Sequence, residues 1–138
     1  MSPEHSTGAL QKWTEAETLL WSEDSPRNLT TIGHLCREAM QEFAASLVRM
    51  LCITSVDADP AKTVSRIRAV ISSRRSAIGS ASGDFLDALL AYWGTVSDLA
   101  QRQEHGGQKE GIPLSSKDAR RLVFQTMIVM YELDDALR

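Results

Sequence analysis

KDARRLVFQTMIVMYELDDALR, residues Lys117 to Arg138, carries two apolar stripes on one helix. Wound at about 100° per residue, Ala119, Leu122, Val123, Thr126, Met130, Leu133 and Leu137 share one face. Phe124, Ile128 and Tyr131 gather on nearly the opposite face. A helix apolar on both sides needs two partners. One is the chain's own bundle, and the other reads as a second subunit, because a small domain seldom leaves such a surface in water.

Just upstream, Leu114-Ser-Ser-Lys-Asp118 resembles a capping box with a leucine staple that opens this last helix. Before it, Gly106-Gly-Gln-Lys-Glu-Gly111 reads as a flexible turn, and Phe85, Leu86, Leu89, Trp93, Val96 and Ala100 mark a fourth helix that fades near His105. Gly79 to Gly83 reads as a small-residue connection. A third helix is predicted from the Asp59-Pro60 start to about Ser76, on Val64, Ile67, Val70 and Ile71. The second, longest element is predicted from Ser25-Pro26 to about Ile53, with Leu29, Ile32, Cys36, Met40, Phe43, Leu47, Met50 and Leu51 at threes and fours. The first helix is expected over Thr7 to Ser22, behind a frayed tail of residues 1–6. Trp13, Trp21 and Trp93 read as core. No alternating strand pattern and no repeat is present, so the expected fold is an all-α, single-domain bundle of about five helices.

The 138 residues are enough to bury a core without staples. Cys36 and Cys52 lie in helical pattern and lack metal-ligand spacing, which predicts buried thiols in a reducing compartment. Nothing from Met1 to Gly8 has the layout of a secretory start, and no apolar run approaches a membrane span. The expected setting is cytoplasmic, with no membrane partner. Fifteen basic against eighteen acidic residues give a net charge of −3, which argues against a protein that coats nucleic acid by bulk charge. Yet no acid lies between Asp59 and Asp84, where Lys62, Arg66, Arg68, Arg74 and Arg75 supply five of the fifteen cations. That stretch is the phosphate-facing candidate, Arg66 and Arg68 flanking the apolar side on opposite edges. Solvated flanks are the plainer reading.

Two polar constellations carry candidate chemistry. Asp98, Arg102 and His105 fall on one edge of the fourth helix, with Asp87 and Gly94, and could be a surface pair plus a histidine suited to the helix dipole. They could also meet a phosphodiester at a loop mouth. A histidine titrates near neutrality and can move a proton to or from a ribose 2′-hydroxyl, while a guanidinium braces the phosphorane. On the second helix, His34, Arg37, Glu38, Gln41 and Glu42 form a polar face. His34 and Glu38 stand at a spacing open to metal, but no third ligand is placed to complete a site, so no metal is assigned. No P-loop, dinucleotide fingerprint, zincin motif or nucleophile elbow occurs, and no cofactor is implied. Gly94, inside a helix, costs about 1 kcal/mol relative to alanine unless it allows close packing.

An all-α chain whose penultimate long helix ends in Arg102-Gln-Glu-His105-Gly, followed by a last helix from Leu114 to Leu137, resembles the HEPN superfamily of prokaryotic nucleotide-binding and ribonuclease domains. Only Gln103 and Glu104 separate the arginine from the histidine, a shorter spacing than the family's, so the resemblance is to a degenerate member. It implies an RNA-engaging domain in a toxin–antitoxin or phage-defence setting, with metal-independent endoribonuclease chemistry and dimerisation. His105 would then be the general acid or base, Arg102 would hold the phosphate, Asp98 would orient one of them, and His34 or Arg37 would complete the groove. The alternative is a non-enzymatic interaction or scaffolding module that dimerises or docks a partner protein through Phe124, Ile128 and Tyr131.

Overall fold

The computed structural model describes residues 3–101 and 115–137. Its helices are α1 (Pro3–Leu20), α2 (Leu29–Met50), α3 (Thr63–Ile78), α4 (Ser80–Gln101) and α5 (Ser116–Leu137), with a 3₁₀ turn at Ser25–Arg27. The fold is an all-α bundle, with no strand among the described residues. No helix among them is long and apolar enough to cross a membrane. The expected turn from Gly106 to Gly111 and the Leu114 staple lie outside the described residues.

Two apolar clusters form the core. One joins Met40, Phe43 and Leu47 of α2 to Ile67 and Ile71 of α3, Leu86 and Leu90 of α4, and Met130, Leu133 and Leu137 of α5. The other joins Ala16 and Leu20 of α1 to Ile32 and Cys36 of α2, Val96 and Ala100 of α4, and Leu122 and Val123 of α5. Each fully buried large side chain contributes about 1.5–3 kcal/mol of hydrophobic stabilisation. α1, α2, α4 and α5 run through both clusters, Ala9 carrying α1 into the first, whereas α3 joins only the first.

α5 ties the bundle together by polar bonds as well. Trp13 Nε1 donates to the Val123 carbonyl at 2.7 Å, using the second lone pair that a helical C=O retains. Trp93 Nε1 donates to Thr126 Oγ1 at 3.0 Å, where Thr126 is fully buried. Burial pushes the Cys36 thiol up to about 12, against a smaller opposing effect of the same Thr126 hydroxyl. Cys36 is therefore a protonated, inert core thiol at neutral pH. Cys52, expected to be buried, is exposed.

Several helix ends depart from expectation, each for a local reason. α1 begins at Pro3, ahead of the expected Thr7, because proline in a first turn sacrifices no intrahelical bond. It stops at Leu20, one residue before Trp21, which is 61% exposed rather than core. Ser25-Pro26 opens only the 3₁₀ turn. Asn28, at φ −114° and ψ 15°, leaves helical geometry, its side chain donates to the Asp24 carbonyl at 3.1 Å, and α2 starts beyond it. Asp59-Pro60 likewise makes a turn, in which Asp59 Oδ1 accepts from the Ala61 N–H at 2.9 Å, and α3 starts at Thr63. The predicted connection from Gly79 to Gly83 shrinks to Gly79 alone. Its φ of +92° turns the chain at once, and Ser80 to Gly83 join α4.

Arg75 clamps that corner. It pairs with Asp84 Oδ1 at 2.8 Å and with Asp87, and the bond to Asp84 foremost raises its pKa further. A Cβ on Gly83 would lie 2.6 Å from Arg75 Nη1, so the glycine is what admits the guanidinium. Arg75 thus belongs to the fold and not to a phosphate-facing row. The far end of α2 closes in a Schellman motif: Ile53 N–H bonds Val48 O at 3.0 Å and Cys52 N–H bonds Arg49 O at 3.3 Å. The left-handed slot is filled by Cys52 at φ 54°. Without a glycine there, the sequence hides the stop, and the predicted helix runs on to Ile53.

These bonds predict two changes in stability. Thr126→Val keeps the shape but strands the Trp93 indole N–H in the core, and urea unfolding is expected to show a loss of about 1–3 kcal/mol. Cys52→Gly relieves a left-handed cysteine and is expected to add about 1 kcal/mol, whereas Cys52→Ala, which keeps the Cβ, adds nothing comparable.

Candidate functional site

A cleft of about 360 Å³ opens between α2, the start of α3 and the C-terminal half of α4. Periodicity explains which side chains reach it. Arg37 and Gln41 are one helical turn apart on α2, and Gly94, Ser97, Asp98 and Gln101 climb one edge of α4 at threes and fours. Lys62 enters from the turn that precedes α3, and Trp93 and Val64 form the apolar wall. Trp93 is the same residue whose indole is anchored on Thr126, so the wall of the cleft is fixed by the core.

The residues that the sequence marks as candidates divide. Arg37, Gln41 and Asp98 come together here. His34 is exposed on α2 and outside the cleft lining; its Nδ1 lies 3.1 Å from Arg37 Nη2, and so it orients the arginine from behind. Glu38 faces α1, where it pairs with Lys12 at 2.8 Å and raises the lysine's pKa, chiefly through that hydrogen bond. It bridges α1 and α2 and is not among the cleft residues. Arg66 is half-buried and Arg68 exposed, and neither lines the cleft. Arg102 and His105 lie outside the described residues. Gln101, the last described residue of α4, is on the cleft and immediately precedes Arg102.

Of the cations in the phosphate-facing stretch only Lys62 lines the cleft, and Ser97 and Gln101 are cleft residues that the sequence does not single out. Only Gly94 points toward them, because a glycine in mid-helix asks for a reason. A Cβ there would meet Val64 Cγ2 at 3.6 Å, an ordinary separation, so close packing does not require the glycine. Its effect is to leave the cleft floor open.

The lining sets two cations, Arg37 and Lys62, against one carboxylate, Asp98, with the amides of Gln41 and Gln101 and the Ser97 hydroxyl between them. Such a set suits an anionic group with several acceptor oxygens. The described residues contain no group of three or more His, Cys, Asp or Glu side chains able to hold a metal ion.

Outside the cleft lining, Phe124, Ile128 and Tyr131 are 38%, 46% and 52% exposed, as the second apolar stripe of α5 requires. Trp21 joins them, its ring centroid 6.1 Å from that of Phe124 at 47°. Its position one residue past the end of α1 swings it outward, a detail that periodicity alone does not carry. In comparisons with protein families, curated proteins and solved structures, no family model, curated relative or known structure matches the chain.

Gly94→Ala is expected to raise stability by about 0.5–1 kcal/mol in urea unfolding, because it removes the helix penalty of glycine and has room for the methyl.

Proposed function

We propose that this cleft binds a phosphodiester and that the chain is a HEPN-like, RNA-engaging domain. The observation that carries the reading is the meeting of Arg37 and Lys62 with the Gly94-Ser97-Asp98-Gln101 edge of α4, the helix whose sequence continues into Arg102 and His105. Arg37 and Lys62 would neutralise phosphate oxygens, and the amides and the hydroxyl would donate to those that remain. Asp98 would hold a cation or imidazole in place. Among the described residues the lining has no second aromatic beside buried Trp93 to stack bases, so the affinity would be backbone-led and salt-dependent.

The chemistry attached to this reading is metal-independent transesterification. His105 would take the proton of a ribose 2′-hydroxyl, the freed oxygen would attack the adjacent phosphorus, and the 5′-oxygen would leave with a proton, giving a 2′,3′-cyclic phosphate. Arg102 would balance the added charge on the phosphorane. A toxin–antitoxin or phage-defence role is part of the same proposal and rests on the resemblance alone.

The test is cleavage and binding of mixed tRNA and single-stranded RNA in EDTA. Wild-type protein is expected to leave cyclic-phosphate ends and His105→Ala to leave none. Lys62→Glu is expected to weaken RNA binding and to lower the slope of log affinity against log salt by about 0.7 for each phosphate that Lys62 neutralises. Gly94→Ala would bind RNA more weakly while unfolding at higher urea, a split that a purely structural glycine would not produce. Wild-type protein that neither binds nor cleaves RNA sinks the reading.

A further inference from the structure

The start of α3 opens on the cleft, and among the described residues nothing caps it. Lys62, its N-cap residue, makes no capping side-chain bond, and its first turn holds no acid. Among the described residues the N–H groups of Thr63, Val64 and Ser65 find no acceptor, and the first bond of the helix runs from Arg66 N–H to Lys62 O at 2.9 Å. All three residues line the cleft. The nearest preceding acid, Asp59, spends Oδ1 on the Ala61 N–H and is not a lining residue. A second observation comes from another helix. Ser97 of α4 is 3% exposed and Thr63 is 7% exposed, and both line the cleft. Buried hydroxyls are ordinarily bonded, as Ser46 is to the Phe43 carbonyl at 2.8 Å and Thr126 to the Trp93 indole. Among the described residues those of Thr63 and Ser97 have no partner, and neither oxygen is sealed from solvent.

We infer that the start of α3 seats a terminal phosphate, the phosphomonoester at one end of a strand, between the Thr63, Val64 and Ser65 N–H groups, the Thr63 and Ser97 hydroxyls and Lys62. Resting on the RNA reading of the cleft, this adds which part of the strand enters it. First-turn N–H groups point out along the helix axis, where the positive end of the helix dipole favours an anion. A phosphomonoester presents three terminal oxygens and close to two negative charges at neutral pH, whereas an internal phosphodiester presents two free oxygens and one charge. Six donor groups supply two bonds to each of three oxygens but crowd three onto each of two. Against Asp98, the lining sets Arg37, Lys62 and the helix end, an excess of positive charge that suits the dianion. A strand passing through would also need room on both sides of its phosphate, and about 360 Å³ is near the lower limit of ligand sites. Arg37, Gln41 and Gln101 are left for the adjoining internucleotide phosphate, Gln101 lying one helical turn beyond Ser97 and next to Arg102.

Binding of one 2′-O-methyl oligoribonucleotide, which transesterification cannot cut, tests this in its 5′-phosphorylated, 3′-phosphorylated and unphosphorylated forms. Fluorescence anisotropy with the full chain should show a terminal phosphate raising affinity about tenfold, and the end that does so names the source. Inorganic phosphate should compete with that form. Ser65→Glu places an acid in the first turn of α3, where it complements the dipole, so the variant should unfold at higher urea and yet lose the tenfold preference. Thr63→Pro removes an N–H and a hydroxyl at the helix position where proline is best tolerated and should lose it too, whereas Thr63→Ser keeps both donors and the preference. Unphosphorylated RNA bound as tightly as either phosphorylated form overturns the terminal-phosphate seat and leaves the RNA reading standing. A preference that survives Ser65→Glu overturns its placement at α3. Inorganic phosphate bound by wild-type protein and not by Ser65→Glu, with no form of the RNA bound, keeps the seat and sinks the RNA reading. Protein that binds neither phosphate nor RNA sinks both.

Discussion

Where the Trp93 indole N–H can go decides how the helices of this bundle meet. An unpaired donor in the core costs more than most apolar pairs contribute, so the 3.0 Å bond to Thr126 fixes the depth at which α4 and α5 pack. Thr126 sits among apolar neighbours on the inward stripe of α5, and its hydroxyl opposes the burial-driven rise in the pKa of the Cys36 thiol of α2. A single buried oxygen thus registers α4 against α5, beside the Cys36 thiol of α2. The Trp13 bond to the Val123 carbonyl, one helical turn away, sets α1 against the same helix.

That arrangement gives α5 its two faces. Its inward stripe is consumed by the other helices, and the outward stripe of Phe124, Ile128 and Tyr131 has no described element of the fold left to cover it. The cleft arises on other elements for a related reason. Trp93 is held down onto Thr126, so α4 presents its glycine, serine and aspartate edge to Lys62 and Arg37 across a gap that no large side chain fills. The apolar face and the cationic cleft are consequences of one packing solution.

Much of this is legible in the residues. The two stripes of α5 and the core face of α2 follow from a 3.6-residue period, and they are buried or exposed as that period demands. The Ser115–Asp118 capping box is realised, with Asp118 N–H bonded to Ser115 Oγ at 3.2 Å and Ser115 N–H to Asp118 Oδ2 at 3.3 Å. Helix starts are less legible, because a serine or aspartate before proline supports a turn as well as a helix, and in this chain the turns prevail at both places. Trp21 and Cys52 escape the periodic reading because each lies a residue or two beyond a helix end, where helical phase no longer applies. The cleft cannot be read from spacing, since its side chains come from three elements whose approach is a tertiary fact.

Gly94 and Cys52 are two places where the chain breaks a local rule, and they separate structure from function. At Cys52 the left-handed backbone closes α2 and serves the helix end alone; the residue lies outside the cleft. At Gly94 the helix carries a residue it has room to replace, and the open space lies beside Arg37, Lys62 and Asp98. Local inconsistency without a packing cause is expected where a protein gives up stability for a site. On that ground the floor of the cleft, more than any single charged residue around it, marks where this bundle would meet its ligand.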